Sequence, residues 1–215
     1  MDHGALLDFA RAHDVVVRMD AKVGEFAAPD RRLASIGATR EPDARAMRDL
    51  ACLFAVDSYR TIDQDVAFGI RQLVDVALKA LSPAINDSTS AVTSLDYISL
   101  LLRRLAVRRI EPRPLYDGDT LRVLPAGPSF ERLVALAFEQ ILENAEGNTT
   151  VLLRMLRAVD QVHGVTRSPA RRQVLEDMRA VVAEVARGTA RNSRARRLLE
   201  TQLKGPASDE DTGGA

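Results

Sequence analysis

Apolar residues recur at helical spacing through most of the chain, and the departures from that spacing are local. Leu6, Leu7 and Ala10 share one face of a helix over residues 4 to 13. The texture then changes. Val15-Val16-Val17-Arg18-Met19 is short and β-branched, Val23-Gly24-Glu25-Phe26 carries a turn glycine, and Leu33-Ala34-Ser35-Ile36-Gly37 alternates and stops at glycine. A small strand-rich module is expected over about residues 14 to 38.

Helical spacing returns from Asp43 to Val56 through Met47, Leu50, Leu53 and Phe54, with Pro42 expected in the first turn. From Asp63 to Leu81 the residues Val66, Ile70, Leu73, Val74 and Ala77 form one apolar face, and Phe68, Val76 and Leu78 add apolar groups on other sides. That pattern predicts a central, largely buried helix. Pro83 ends it, Asp87 is placed to cap its successor, and Val92, Leu95, Ile98, Leu102 and Leu105 mark the next buried stripe. The prolines at 112 and 114 and the Tyr116-Asp117-Gly118-Asp119 cluster precede Thr120 to Leu124, which reads as the return strand of a hairpin. Further helices are expected over 130–146, 149–162, 168–186 and 190–203.

The fold class expected is α-dominated α+β: a helical, bundle-like core with a small N-terminal β module and one β-hairpin. Residues 1–40 hold the leading helix and strand module, 41–203 the helical core with the hairpin near 110–125, and 204–215 a disordered tail rich in Gly, Asp and Glu.

Composition narrows the function. The 215 residues are 46% hydrophobic but only 4% aromatic, which suits a Leu, Val and Ala core of packed helices. Thirty basic residues balance thirty acidic ones, so there is no global field for a polyanion and nucleic acid is not an expected partner. The bases are nearly all arginine, with lysine only at Lys22, Lys79 and Lys204, a bias that fits a GC-rich coding sequence or phosphate and carboxylate recognition. The one cysteine, Cys52, lies in an apolar run and is expected to be a small buried hydrophobe. His3, His13 and His163 stand far apart, and no Cys/His set has metal-ligand spacing, so neither a metal nor a cofactor is expected. No run reaches the roughly 18 apolar residues of a membrane span, and no secretion signal is visible.

The candidate chemistry centres on the Asp63–Leu81 helix. A 100° step puts Gln64, Arg71, Asp75 and Ser82 in one stripe with Lys79 beside it. Arg71 and Asp75, four apart, read either as a structural pair or, with Arg60 and Asp65 at one end and Asn86 and Asp87 at the other, as the lining of a small polar pocket. Asp63, Asp65, Asp75 and Asp87 could supply paired carboxylates, but no Glu-x-x-His accompanies them, and Ser82 and Ser88-Thr89-Ser90 have no histidine nearby. The C-terminal group Arg187, Arg191, Arg194, Arg196 and Arg197 reads as a solvated face or a phosphate-binding patch, and Asp209-Glu210-Asp211 could fold back on it.

The run from Arg60 to Asp87 resembles the signature of a bacterial family of predicted membrane proteins, domain of unknown function 2254. In that family an Arg-Thr, a Gln-Asp, a Phe-Gly-Ile/Leu-Arg, a helical Asp and an Ala-Leu-Ser-Pro-Gly-x-Asn-Asp-Pro run follow in this order. Here they fall on Arg60-Thr61, Gln64-Asp65, Phe68 to Arg71, Asp75 and Ala80 to Asp87. Ala84 stands where the family usually has glycine and Ser88 where it usually has proline, so this loop is expected to take a different shape. The resemblance extends over about residues 1–190. Val15 to Ile36 is similar to the β module that follows the membrane segments in these proteins. That module also resembles half of a biotinyl-type barrel, but it has no Lys at a hairpin tip flanked by Met, and a swinging-arm role is not expected.

The resemblance implies the extramembrane portion of a membrane protein or a free-standing relative. The expectation is therefore a soluble, non-catalytic regulatory or small-ligand- or ion-sensing domain with Arg60, Asp65, Arg71, Asp75, Asn86 and Asp87 near its binding site. It is expected in the cytoplasm, held at a membrane through a longer parent chain or a partner. The expected partner is a membrane-embedded region or membrane protein. The alternative is a scaffolding domain that forms a homo-oligomer, and a third reading is a metal-dependent hydrolase built on the carboxylates.

Overall fold

Side-chain caps and β-branched runs set the elements of the first part of the chain. The computed structural model describes residues 2–40, 42–57, 59–62, 65–190 and 192–204, which contain eight α-helices and one four-stranded sheet. Asp2 opens α1 (His3–Ala12) by accepting from the amides of Gly4 at 2.8 Å and Ala5 at 3.2 Å. The helix ends in a Schellman motif: Val15 N donates to Ala10 O, Asp14 N donates to Arg11 O, and Asp14 takes φ +50°. Strand β1 (Val16–Met19) then pairs antiparallel with β2 (Ala34–Gly37). The Val23–Phe26 segment is a turn with Gly24 at φ +79°.

Helix α2 (Ala44–Cys52) starts one step later than expected: Asp43 is its N-cap, accepting from Ala46 N at 2.8 Å, and Pro42 precedes the cap. Cys52 is exposed, contrary to the reading of a buried thiol. The inward side of α2 is set by Ala46 and Leu50, and two further residues, about 200°, carry Cys52 to the opposite side.

The hairpin, strands β3 (Leu115–Asp117) and β4 (Thr120–Leu124), joins the N-terminal strands rather than the helices with which the sequence groups it. Residue order in the sheet is β2-β1-β4-β3, with β4 parallel to β1 and Val17 opposite Val123. Both valines are fully buried in one cluster with Leu6, Phe9, Ala10, Met19 and Leu50. A two-stranded hairpin buries little by itself, and adding it to β1 closes this core. The chain accordingly divides into two compact units, residues 1–68 with 109–129, and residues 69–108 with 130–215.

The second unit is all helical: most of α3 (Val66–Leu81), then α4 (Ser88–Ala106), α5 (Phe130–Asn144), α6 (Thr149–His163), α7 (Pro169–Thr189) and α8 (Ser193–Leu203). Asp87, Asn148, Ser168 and Asn192 cap α4, α6, α7 and α8, and Pro169 holds the first position of α7. The enclosed helix is α6, not α3. Seven residues of α6 are buried, from Val151 to Val162, and it packs against both α4 and α7. Only Ile70, Val74, Ala77 and Ala80 of α3 are buried, while Gln72, Val76 and Lys79 face solvent. Asp63 and Gln64, expected at the start of α3, and all of the expected tail except Lys204 lie outside the described residues.

Candidate functional site

In the first unit the loop before α3 folds around one carboxylate. Asp65 is 6% exposed, and its Oδ1 accepts from Phe68 N at 3.1 Å, so it caps α3. Its Oδ2 accepts from Arg60 Nη2 at 2.6 Å and Nε at 3.0 Å. The Arg60 guanidinium also lies over the Phe68 ring, 4.8 Å from the centroid. Gly24 completes the arrangement: a Cβ there would fall 1.9 Å from Asp65 Oδ2 and 2.9 Å from Arg60 Nε. Arg60, Asp65 and Phe68 are thus one cap, pressed against the backbone of the 23–26 turn.

In the second unit, Arg71 and Asp75 form the expected pair on α3, Nε to Oδ1 at 2.9 Å, and Arg71 Nη1 donates to Gln140 Oε1 of α5 at 2.6 Å. Both members of the pair are well exposed to water. Asn86 is a turn residue. It takes φ +49°, the only non-glycine besides Asp14 among the described residues to do so, and its amide donates to Ser82 O at 2.8 Å. Ala84 needs no positive φ, so glycine at that position is dispensable in this loop.

Asp87 caps α4 by accepting from the amides of Thr89 at 3.0 Å and Ser90 at 3.1 Å and from the Ser90 hydroxyl. The Ser90 hydroxyl, then its amide, holds the Asp87 carboxyl below the usual carboxylate range against the opposing effect of burial. Ser88, where a proline would offer no donor or acceptor, accepts from Asn148 Nδ2 at 2.7 Å and ties the start of α4 to the start of α6.

Of the six residues expected around one pocket, Arg60 pairs with Asp65 and Arg71 with Asp75, while Asn86 and Asp87 serve the local backbone as turn and cap. Sequence reasoning missed Gly24 and Gln140 because each meets its partner across a long stretch of chain. A small surface cleft of about 150 Å³ lies elsewhere, lined by Val159, Asp160, His163, Leu175, Glu176 and Arg179. Its polar groups have partners: Arg179 Nε is 2.6 Å from Asp160, and His163 Nε2 is 3.1 Å from Glu176. Among the described residues no group of three or more His, Cys, Asp or Glu is arranged to hold a metal ion.

A helical unit and a small mixed-sheet unit, built around capped and ion-paired polar residues, define an α+β protein. The chain belongs to a family of predicted membrane proteins, domain of unknown function 2254, whose profile matches residues 1–161. It is similar to uncharacterised proteins of Mycobacterium bovis and of two strains of Mycobacterium tuberculosis, each 34% identical over 129 residues, which are 59% of this chain and 25% of the relative. The chain thus spans about a quarter of the length of the curated relatives it matches. No solved structure is significantly similar to it. Among the described residues, no helix is long and apolar enough to cross a membrane.

Proposed function

We propose that this chain is a non-catalytic regulatory domain of its membrane-protein family and works through helix-face contacts, self-association first among them. One contrast carries the reading. The polar residues around α3 are occupied in caps, a turn and ion pairs, whereas α4 and its C-cap Val107 show large apolar side chains to water. Tyr97, Leu100 and Val107 are 58%, 43% and 65% exposed. Their spacing puts them within about 80° of one another around α4. Clustered exposed apolar groups mark surface that a partner covers.

Light scattering on eluting protein tests this reading. The wild type is expected to gain mass as concentration rises, and Leu100→Glu to remain monomeric with an unchanged helical circular dichroism spectrum. A wild type that stays monomeric at high concentration overturns it.

A second reading, a small-ligand or ion sensor, is favoured by the solvent-accessible group of Arg71, Asp75 and Gln140. A ligand at 100 times its Kd adds about 2.7 kcal/mol to stability. A thermal-shift screen with divalent ions, nucleotides and phospholipid headgroups, run on wild type and Asp75→Asn, tests it. A shift seen only in the wild type supports sensing, and no shift with any compound leaves the group a surface network.

A further inference from the structure

Helix α8 buries little and is nevertheless held firmly. Ala195 and Leu199 face inward, and Asn192 Oδ1 accepts from Ala195 N at 2.8 Å. At the other end Arg179 donates to the carbonyls of Gln202 at 3.3 Å and Leu203 at 3.2 Å. The Gln202 side chain donates to Asp160 at 3.1 Å and accepts from Arg157 at 2.9 Å. These contacts fix the rotation of α8 about its axis, and so fix which face it turns to water.

That outer face is Arg194, Arg197, Leu198 and Thr201, at i, i+3, i+4 and i+7, all exposed. Arg196, also exposed, donates to Ala190 O at 3.2 Å, which ties the start of α8 to the end of α7, where Arg187 is exposed in the last turn. Arg191 lies outside the described residues. With its C-cap Lys204, α8 has four cations against one carboxylate, Glu200, in a chain whose charges balance overall. Arg60, Arg71, Arg122, Arg154 and Arg179 each face an aspartate. Arg187, Arg194 and Arg197 have no carboxylate partner among the described residues. Half-exposed Leu198 sits one turn from Arg194 on the same side of the helix.

We propose that this face of α8, together with Arg187, seats on the anionic headgroup surface of a lipid bilayer, with the guanidinium groups on phosphate oxygens and Leu198 at the headgroup boundary. Guanidinium matches phosphate geometry in a two-pronged contact, and an apolar side chain amid basic ones gives a second, uncharged attraction to the interface. The face has no aromatic group on which a nucleic-acid base could stack, and the chain belongs to a family of predicted membrane proteins, so a bilayer is the phosphate surface at hand. This proposal does not depend on self-association through α4, and its test reads vesicle binding rather than mass.

The experiment is co-sedimentation of the full chain with phosphatidylcholine vesicles, with and without roughly one-third phosphatidylserine, at about 0.1 M and 1 M salt. Wild type is expected to sediment with the mixed vesicles at low salt only. Each arginine near an anionic surface is worth about five-fold in partitioning, so Arg187→Gln, Arg194→Gln and Arg197→Gln together should weaken binding roughly 100-fold, with an unchanged melting curve. Leu198→Ser should weaken it several-fold at the lower salt. Equal sedimentation with both kinds of vesicle, or undiminished binding by the triple variant, overturns the proposal. Tighter retention on duplex DNA at equal phosphate concentration assigns the face to nucleic acid and overturns it as well.

Discussion

The carboxylate of Asp65 occupies the space that a side chain on residue 24 would fill: a Cβ added to Gly24 falls 1.9 Å from Asp65 Oδ2. Gly24 also takes φ +79°, where an L side chain is strained in any surroundings. Gly24→Ala must therefore displace either the turn or the cap on α3, and is expected to cost about 2 to 4 kcal/mol. Gly118→Ala separates the two effects, because Gly118 has φ +56° with nothing within 4 Å of the added carbon. It should cost only about 1 kcal/mol. Urea titrations of both variants check this, and equal losses would mean that the contact with Asp65 contributes nothing.

Asp14 closes α1 in a conformation that glycine adopts more readily, and it keeps a side chain there that faces Arg122 at 2.8 Å. The aspartate is mostly in water while Arg122 is largely enclosed, so the pair matters chiefly to Arg122. Asp14→Ala loses the pair and keeps the strain, and should cost about 1 to 2 kcal/mol. Asp14→Gly loses the pair but relieves the strain, and should fall within about 0.5 kcal/mol of wild type. If the glycine variant proves as unstable as the alanine variant, the ion pair rather than the backbone sets the preference.

Much of α3 and α4 is legible because the signals are local. Pro83 and Asp87 lie within five residues, and each acts on its own backbone or on the next turn: a stop and a cap. The apolar periodicities that place α4 and α6 are local in the same sense. Pairing of β1 with β4 is not legible, because it joins Val17 to Val123 across about a hundred residues and no alternation of side chains names the partner strand. The contact of Gly24 with Asp65 is harder still, since its sign at residue 24 is the lack of a side chain. Cys52 and Val76 mislead for another reason. A run of apolar residues on a helix of two or more turns must place some of them outward, and composition alone does not say which side the neighbours cover.

Three carboxylates make stability depend on acid. Asp20 is held below the usual carboxylate range first by the Ser35 hydroxyl, Asp43 first by the Ala46 amide, and Asp87 first by the Ser90 hydroxyl. A carboxyl with a lower pKa in the folded chain than in the unfolded one binds fewer protons when folded. Its contribution is then complete above the unfolded value of about 4, and is lost as pH falls through the folded value. The urea midpoint should be flat between about pH 7 and 5 with respect to these groups and fall below about pH 4. Asn also caps helices well, so Asp87→Asn should keep the midpoint near neutrality and flatten part of the acid limb. An acid limb unchanged in that variant would remove Asp87 from the account.

Arg171 of α7 gathers the exposed end of α4. Its Nη1 lies within hydrogen-bonding reach of the carbonyls of Leu105 at 3.2 Å, Ala106 at 3.2 Å and Arg108 at 2.6 Å, and its guanidinium lies 5.1 Å from the Phe130 ring centroid. The last carbonyls of a helix have no partner within it, and a cation there also meets the negative end of the helix dipole. Thr166 adds a second donor to Ala106 O at 3.3 Å, so losing Arg171 does not leave that carbonyl bare. Arg171→Ala should cost about 2 to 3 kcal/mol, from the charged hydrogen bonds and the lost stacking on Phe130. Arg171→Lys keeps the charge but offers a point donor in place of a planar fork, and should recover less than half of the loss. Hydrogen exchange at the amides of the last turn of α4 reads the same change locally, and should accelerate in the alanine variant before α6 is affected. If lysine restores wild-type stability, charge against the dipole accounts for the role of Arg171, and the shape of its guanidinium does not.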